Sequence, residues 1–302
     1  MKHFLKDILV DPITGNELTE ELKDGKDFLL SIDKRYPTSY EVPVLLPEKE
    51  MENSNSDIHK QFHSDFDYSA HYEKDAQQFD YFKTEESAAA KEELRRLHQT
   101  ITNHIPKNAK LILDVGCGNG WAAKSLLAKR KTVVSMDIAL KNPLKVLNEN
   151  QNQNHAAIVA DAYYLPFKKN CFDTIIASEI MEHVYDPKLF ITKLLDVLKP
   201  GGKLIITTPY DEKIEYFLCV HCNRPTPKSA HLHTFSERNI GDFIPDDKAD
   251  YKTEKFSNKY LVRLRLNVLM AFLPYSLWKL KDSFANWIYK KPTRFLIELD
   301  KK

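Results

Sequence analysis

The predicted fold is decided by residues 111–121, which read Leu111-Ile112-Leu113-Asp114-Val115-Gly116-Cys117-Gly118-Asn119-Gly120-Trp121. The first five form a short apolar run, typical of a strand that is buried on both faces. The three glycines that follow, among only 8 in the chain, predict a turn with unusual backbone angles. We expect a helix to begin at Trp121. A strand, a glycine turn and a helix in this order predict a ligand crevice at the carboxyl end of a parallel sheet.

Apolar strands and helices alternate around this turn, which predicts an α/β fold with helices on both faces of the sheet. The predicted strands are 111–115, 132–136, 156–160, 173–177, 203–208, 250–256 and 294–299, and the predicted helices are 86–105, 121–129, 143–150 and 187–198. The fold class is a doubly wound, Rossmann-like, seven-stranded sheet with a small β-rich N-terminal module. The predicted boundaries are 1–48 for the module, 49–66 for a linker and 67–302 for the main domain, with a helical insert at 261–290.

The composition is that of a soluble globular protein, with 42% hydrophobic and 29% charged residues. The formal net charge of +1 does not favour nucleic acid as a partner. The N-terminal residues do not resemble a secretory signal, and no apolar run is long enough for a transmembrane segment. Four cysteines are too few for a secreted disulfide framework, so we expect a cytoplasmic protein. The oligomeric state stays open.

Two classes of nucleotide-binding protein use a glycine turn of this kind. Nicotinamide-dependent oxidoreductases use G-x-G-x-x-G, whose third glycine allows close helix packing. The bulky Trp121 follows Gly120 here, which disfavours that class. A set of motifs in fixed order instead resembles the class I S-adenosylmethionine-dependent methyltransferases over about residues 70–302, and within them the group that includes the ubiquinone-pathway O- and C-methyltransferases. The motifs are Asp114 to Gly120, Asp161-Ala162, Leu165-Pro166-Phe167, Phe172-Asp173, Ser178 to Val184 and Leu198 to Gly202.

This resemblance implies S-adenosylmethionine as the cofactor and a small-molecule acceptor, with oxygen the favoured acceptor atom. It implies that Asp114 holds the turn and the cofactor's amino group, and that Asp161 meets the adenine amine. Asp137 also ends the second strand about 20 residues after the turn, where a carboxylate can accept both ribose hydroxyls. The predicted cofactor-binding residues are Asp114, Gly116, Cys117, Gly118, Asp137, Ile138, Asp161, Ala162 and Ser178. The alternative function is a catalytically silent methyltransferase-like partner subunit.

His183 is the predicted catalytic residue, because an imidazole that titrates near neutral pH can remove the proton of a hydroxyl acceptor. It could instead fix the loop after the fourth strand by hydrogen bonds. The pattern Glu179-x-x-Glu182-His183 also resembles a metal-binding motif of ubiquinone-pathway O-methyltransferases, and such a set can hold a hard divalent ion.

Two segments suggest zinc. Residues 4–47 resemble a zinc-ribbon-like module, but Asp11-Pro12-Ile13-Thr14 stands where that family has Cys-Pro-x-Cys, so we expect the metal to be lost. Cys219 and Cys222 precede His231 and His233, and two thiolates with two imidazoles suit a tetrahedral structural zinc. The alternative is two buried thiols and surface histidines.

Two further segments concern access to the site. Residues 68–82 carry five aromatic side chains and resemble the lid of the family, although ordinary helix packing would explain them equally. Residues 261–289 mix apolar and basic side chains. We expect the apolar stripes there to be core and the basic residues to be solvated. The alternative is a cover for a lipophilic acceptor that touches a membrane surface.

Overall fold

Helices and strands alternate along the computed structural model, which describes residues 1–32, 34–47, 68–83, 85, 87–218, 223 and 225–302. The strands in these residues are β1 (Thr19–Lys23), β2 (Lys26–Leu30), β3 (Arg35–Ser39), β4 (Val42–Leu45), β5 (Leu111–Val115), β6 (Thr132–Asp137), β7 (His155–Ala160), β8 (Phe172–Ser178), β9 (Leu198–Pro209), β10 (Tyr216–Leu218), β11 (Pro225–Pro227), β12 (Ala249–Asn258) and β13 (Pro292–Lys301). The helices are α1 (His3–Lys6), α2 (Tyr68–Gln78), α3 (Ala88–His104), α4 (Trp121–Leu127), α5 (Lys141–Glu149), α6 (Pro187–Val197), α7 (Lys259–Arg263), α8 (Leu266–Leu269) and α9 (Tyr275–Tyr289).

The chain divides into two compact units, and each contains part of the sheet. The first unit comprises Met1–Lys83, Asn108–Ile175 and Lys193–Gly202. Its strands follow the order β1-β2-β3-β4-β7-β6-β5, with the first half of β8 next to β5. β5, β6 and β7 are parallel, so their carboxyl ends lie at one edge.

The second unit comprises Thr84–Lys107, Ile176–Thr192 and Lys203–Lys302. Here the second half of β8 lies next to β9, followed by β13 and β12. β13 is antiparallel to both of its neighbours, and Arg294 on β13 stands opposite Pro209 at the end of β9. All seven strands predicted for the main domain are present, and the α/β class is confirmed.

Burial explains why these segments form. All six residues of β7 are buried, as a continuous apolar run in a parallel sheet requires. Helix α4 presents Ala122 and Ala123, both fully buried, as expected for small residues beneath a sheet crossover. Gly120 precedes this helix at φ +72°, and a Cβ there would lie 2.8 Å from Cγ1 of Val146 on α5. Glycine is therefore required at this position for packing as well as for backbone angle.

The N-terminal module contributes four strands, which extend the sheet beyond the seven that were predicted. β4 pairs in parallel with β7, with Val44 opposite Val159. The buried Asp11 organises the loop before β1: its Oδ1 accepts the N–H groups of Ile13 (2.8 Å) and Thr14 (2.9 Å), and its Oδ2 accepts the Tyr36 hydroxyl (3.0 Å). Burial raises the pKa of Asp11, but these hydrogen bonds hold it below its usual value. A carboxylate thus fixes this loop, at the position where the predicted zinc-ribbon likeness expects cysteines.

The helical insert differs from expectation. It forms α7, α8 and α9, but several apolar side chains that were expected to be core are exposed, including Leu269 (68%), Phe272 (83%) and Trp287 (72%). Trp278, by contrast, is buried as expected. Among the described residues, no helix is long and apolar enough to span a bilayer. The predicted linker at 49–66 lies outside the described residues, and the boundaries predicted for the module and the main domain remain predictions.

Candidate functional site

The glycine turn leaves β5 through three residues with positive φ. Gly116, Gly118 and Gly120 have φ values of +68°, +47° and +72°, which favour glycine. The turn is closed by two backbone hydrogen bonds, from Cys117 N to Met136 O (2.9 Å) and from Gly120 N to Cys117 O (2.8 Å). A Cβ on Gly118 would meet only Gly116 O at 3.9 Å, so one side of the turn is open. A ligand can approach the backbone there.

Asp137 connects the end of β6 to this turn. Its Oδ2 accepts hydrogen bonds from Gly118 N (3.3 Å) and Asn142 Nδ2 (3.1 Å), and its Oδ1 accepts one from Ala139 N (3.1 Å). Burial raises the pKa of Asp137, while these donors lower it. The carboxylate is therefore fixed at the strand end, beside the open side of the turn.

Asp114 is the most unusual group in the first unit. It is 1% exposed, and its Oδ2 has no hydrogen-bond partner among the described residues. Burial, with a smaller contribution from the negative charge of Asp137, raises the pKa of Asp114 to about 8. A buried carboxyl without a donor is costly. A cationic donor in the crevice would remove this cost.

Asp161, at the end of β7, is already engaged. Its Oδ1 accepts the N–H of Tyr163 (2.8 Å), and its Oδ2 accepts the hydroxyl of Tyr68 on α2. Burial raises the pKa of Asp161. The predicted lid segment is thus tied to the strand end that is assigned to adenine. Glu73 also accepts a hydrogen bond from Leu140 N (3.2 Å), which joins α2 to the segment after β6.

The remaining predicted cofactor residues fall into two groups. Cys117 is buried, which raises the pKa of its thiol. Ile138, the first residue after β6, and Ala162, the second residue after β7, are half-buried. Ser178 belongs to the second unit, where its hydroxyl hydrogen-bonds Thr207 Oγ1 (3.0 Å).

In the second unit, Glu179 follows β8 with φ +57° and pairs with Arg294 from β13. Arg294 also contacts Glu93 Oε1 at 3.4 Å through Nε. Burial raises the pKa of Glu179, although Arg294 lowers it. Arg294 thus engages Oε2 of Glu179, whereas Oε1 is buried with no hydrogen-bond partner among the described residues. The predicted Glu179-Glu182-His183 ligand set remains a prediction.

A different set of three does come together, formed by Glu182, His183 and His231. One ligand atom from each lies within 4.8 Å of the others. The two imidazole rings are 4.8 Å apart between centroids, and His183 Nε2 is 4.0 Å from Glu182 Oε1. Glu182 is 2% exposed and its Oε2 has no hydrogen-bond partner among the described residues. Burial, and then the charge of Glu179, raises the pKa of Glu182.

The two histidines of this cluster are oriented through their Nδ1 atoms. His183 Nδ1 lies 3.3 Å from Ala230 O, and His231 Nδ1 lies 2.5 Å from Glu212 Oε2. Both neighbours are acceptors, so the tautomer with the hydrogen on Nδ1 satisfies each of them and directs each Nε2 towards a cation. A carboxylate or carbonyl behind the far ring nitrogen is the usual arrangement of a metal-binding histidine. The cluster could hold a divalent cation.

The four predicted zinc ligands, Cys219, Cys222, His231 and His233, are not found together in the described residues. His233 is not part of the cluster, since its Nε2 lies 3.1 Å from Tyr185 O and burial lowers its pKa. Cys219 and Cys222 lie outside the described residues. The zinc site therefore remains a prediction, with His231 placed beside Glu182 and His183.

A cavity of about 590 Å³ opens next to the cluster. His231 and Glu212 line one part of it. Five lysines also line the cavity: Lys213, Lys228, Lys259, Lys290 and Lys291.

Comparison with known proteins covers the region that contains the glycine turn. Residues 113–206, from β5 into β9, match the family model described as a methyltransferase domain. A mitochondrial ubiquinone biosynthesis O-methyltransferase of Rattus norvegicus is 34% identical over 170 residues, covering 53% of this chain and 44% of that protein. Residues 113–206 therefore carry a methyltransferase domain.

Two other similarities are to proteins described as methyltransferases. A ubiquinone/menaquinone biosynthesis C-methyltransferase of Wigglesworthia glossinidia brevipalpis is 38% identical over 102 residues, covering 32% of this chain and 41% of that protein. A solved structure from Listeria monocytogenes, assigned to the S-adenosylmethionine-dependent methyltransferases, has a TM-score of 0.50 at 12% identity and covers 70% of this chain and 98% of that chain. The latter likeness shows the fold. The chain spans less than half the length of the two curated relatives.

Sequence reasoning missed three residues around the methyltransferase domain's sites. Arg294 and Glu212 have no motif of their own, and the sequence marks Tyr68 only as one aromatic residue of a lid. The contacts of these residues join distant positions in the sequence. The separation is 115 positions for Arg294 and Glu179, 93 for Tyr68 and Asp161, and 19 for His231 and Glu212. No local pattern in the sequence signals contacts of this length.

Proposed function

We propose that this chain transfers the methyl group of S-adenosylmethionine to an oxygen of a small-molecule acceptor. The observation that carries the proposal is Asp114, a buried carboxyl with an unpartnered oxygen beside the glycine turn. The methionine part of the cofactor has an ammonium group, which would donate to that oxygen and favour its ionised form. The site therefore fits the cofactor.

Asp137 and Asp161 would bind different parts of the cofactor. Asp137, fixed at the end of β6, would accept the ribose hydroxyls. Asp161, at the end of β7, would accept from the adenine amine while it keeps its hydrogen bond to Tyr68, because a carboxylate has about four lone-pair sites. Helix α2 would then cover the adenosine and exclude water from it.

The main task of the protein in methyl transfer is to position the two reactants. The bound sulfonium supplies an activated methyl group, and in-line displacement requires the acceptor oxygen to lie behind it. Holding the two reactants in this geometry supplies much of the rate.

For a hydroxyl acceptor, the cluster of Glu182, His183 and His231 would handle the proton. His183 Nε2 could take the proton itself, or it could bind a cation with Glu182 and His231, and these two roles exclude each other. We favour the cation, because both Nδ1 atoms are fixed by acceptors and Glu182 Oε2 has no hydrogen bond in the described chain. A divalent ion bound there would lower the pKa of an acceptor hydroxyl that contacts it.

The cavity beside His231 is the proposed entrance for the acceptor. Five lysines line it against three carboxylates, Asp211, Glu212 and Glu215, and the excess of positive charge suits an acceptor that carries an anionic group as well as the hydroxyl. This assignment comes from charge alone and leaves the rest of the acceptor unspecified. The cytoplasmic location predicted from cysteine usage also remains a prediction.

The test is transfer of a labelled methyl group. Wild-type protein, Asp114→Asn and His183→Ala are incubated with methyl-labelled S-adenosylmethionine and phenolic acceptors with and without a carboxylate. We expect labelled methyl ether from the wild type, none from Asp114→Asn, and a large loss in His183→Ala with cofactor binding retained. Cofactor binding without transfer to any acceptor in an extract of the source cell would instead support the silent partner subunit.

A further inference from the structure

The insert segment, defined here as residues 259–291, has a charge unlike that of the rest of the chain. It contains seven basic residues and one acidic residue, Asp282, whereas the whole chain has a formal net charge of only +1. The remainder of the chain is therefore net acidic. The insert segment concentrates positive charge in one part of the second unit.

The same segment concentrates exposed apolar side chains. Of the 21 large apolar side chains exposed in the described chain, eleven lie in these 33 residues. Single exposed apolar residues are ordinary, but a concentration of this size marks an interaction surface. Seven of the eleven are more than half exposed: Leu264, Leu269, Phe272, Leu280, Phe284, Trp287 and Tyr289.

Helix α9 has one face packed against the sheet and one face exposed. Trp278, Asp282 and Ala285 are buried, and Asp282 accepts the N–H groups of Ser257 (2.8 Å) and Asn258 (2.8 Å) on β12. These contacts fix one face of α9 against the sheet.

The opposite face of α9 is an apolar stripe. Leu277, Leu280, Phe284 and Trp287 recur at helical spacing and are all exposed. The Phe284 and Trp287 rings stack with 5.9 Å between centroids. The stripe is therefore an ordered surface on an anchored helix.

A second anchor holds the preceding helices. Arg96 on α3 donates through Nη2 to the carbonyls of Met270 (3.0 Å) and Leu273 (3.0 Å), on either side of Phe272. Phe272 itself is 83% exposed. The backbone here is held in place while the aromatic ring is presented outward.

The basic residues of the insert segment are available for a partner. Within the described part of the chain, six of the seven form no ion pair, and only Lys279 does, with Glu254 at 2.6 Å. The six are Lys259, Arg263, Arg265, Lys281, Lys290 and Lys291, and all are exposed.

We propose that the insert segment binds the surface of an anionic phospholipid bilayer. An apolar stripe with Trp and Phe, flanked by unpaired lysines and arginines, matches a helix that lies in the membrane interface. The apolar side chains would enter the headgroup region while the cations meet lipid phosphates. A second copy of this chain is a poor occupant, because its own insert segment carries the same positive charge. The proposal does not depend on methyl transfer.

The experiment measures binding of the full chain to phosphatidylcholine vesicles with and without phosphatidylglycerol. We expect co-sedimentation only with phosphatidylglycerol, weakened by salt. The triple variant Arg263→Gln, Arg265→Gln, Lys281→Gln, whose residues do not line the cavity beside His231, should lower the partition coefficient by about a hundredfold, at about fivefold per cation. The double variant Leu280→Ser with Phe284→Ser should also lower the partition coefficient. The control is Leu22→Ser with Lys23→Gln and Lys26→Gln, at exposed positions of the N-terminal module, which should leave the partition coefficient unchanged.

Tryptophan fluorescence reports the site directly. Of the three tryptophans, Trp278 is 3% exposed, Trp121 is half-buried and Trp287 is 72% exposed. Vesicles should shift the emission to the blue, brominated lipid should quench it, and Trp287→Phe should abolish both changes. Binding that is indifferent to phosphatidylglycerol, or emission changes that persist in Trp287→Phe, would overturn the proposal. Concentration-dependent self-association that is lost in Leu280→Ser with Phe284→Ser, without vesicle binding, would assign the surface to a second copy instead.

Discussion

The hydroxyl of Tyr68 donates a hydrogen bond to Oδ2 of Asp161, which joins helix α2 to the end of β7. Burial and the adjacent carboxylate both raise the pKa of Tyr68, so it stays a donor. The contact places a predicted lid on an acid that was predicted to bind adenine.

Tyr68→Phe should weaken binding of S-adenosylmethionine by about tenfold, because a hydrogen bond to a charged group contributes about 1.5 kcal/mol. Hydrogen exchange in residues 68–78 should also become faster. Titration calorimetry and exchange mass spectrometry measure the two effects. Tyr40→Phe, at a side chain that is 88% exposed, is the matched control. Unchanged affinity in Tyr68→Phe would show that α2 does not cover the cofactor.

Proton release should accompany cofactor binding. The pKa of Asp114 is about 8 without a ligand, so the carboxyl is mostly protonated at pH 7. The cofactor's ammonium favours the ionised form, so binding at pH 7 should release about one proton. The release should fall towards zero above pH 8, where Asp114 is already ionised.

Calorimetry in two buffers of different ionisation enthalpy measures this release. Asp137→Asn serves as a comparison, since it leaves Asp114 in place while weakening ribose binding. If the wild type binds the cofactor without releasing a proton, Asp114 does not receive the ammonium.

Gly120→Ala should destabilise the fold more than an alanine at an uncrowded glycine. The new Cβ would lie 2.8 Å from Val146 Cγ1 at φ +72°, and the combined cost of strain and overpacking is about 3 kcal/mol. Gly15→Ala has the same φ of +72° with nothing within 4 Å, so it should cost about 1 kcal/mol. Urea denaturation compares the two. Equal losses in the free energy of unfolding would show that Val146 moves aside and contradict the prediction. If Val146 stays in place, the additional substitution Val146→Ala should restore stability to Gly120→Ala.

Cation binding should depend on Glu212 although Glu212 is not a ligand. Cobalt(II) absorption should report a site that His231→Ala abolishes and Glu212→Gln weakens by about tenfold, because the carboxylate orients the imidazole. His3→Ala, on an exposed side chain, is the control. Loss of the signal in Cys219→Ser with Cys222→Ser, but not in His183→Ala, would favour the zinc site predicted from the sequence.

The parts of the site that lie at strand ends could be predicted from the sequence. Asp114, Asp137 and Asp161 each follow a buried apolar run, and parallel strands bring such residues to one edge. The ion pair between Glu179 and Arg294 could not be predicted, because Arg294 comes from β13, far along the chain.

The exposure of the apolar stripe on α9 could not be predicted from the sequence. Hydrophobic periodicity predicts that α9 has an apolar stripe, but it does not say whether the chain itself covers that stripe. The structure buries Trp278 and exposes Trp287 on the same helix, and both would satisfy a helical pattern.

The central claim is tested most directly by titrating the purified chain with S-adenosylmethionine, alongside Asp137→Ala with its fold checked by circular dichroism. The predicted result is one cofactor bound per chain in the wild type and no measurable binding in a folded Asp137→Ala. No binding to the wild type, or the same affinity in the variant, would contradict the assignment of the crevice at the glycine turn.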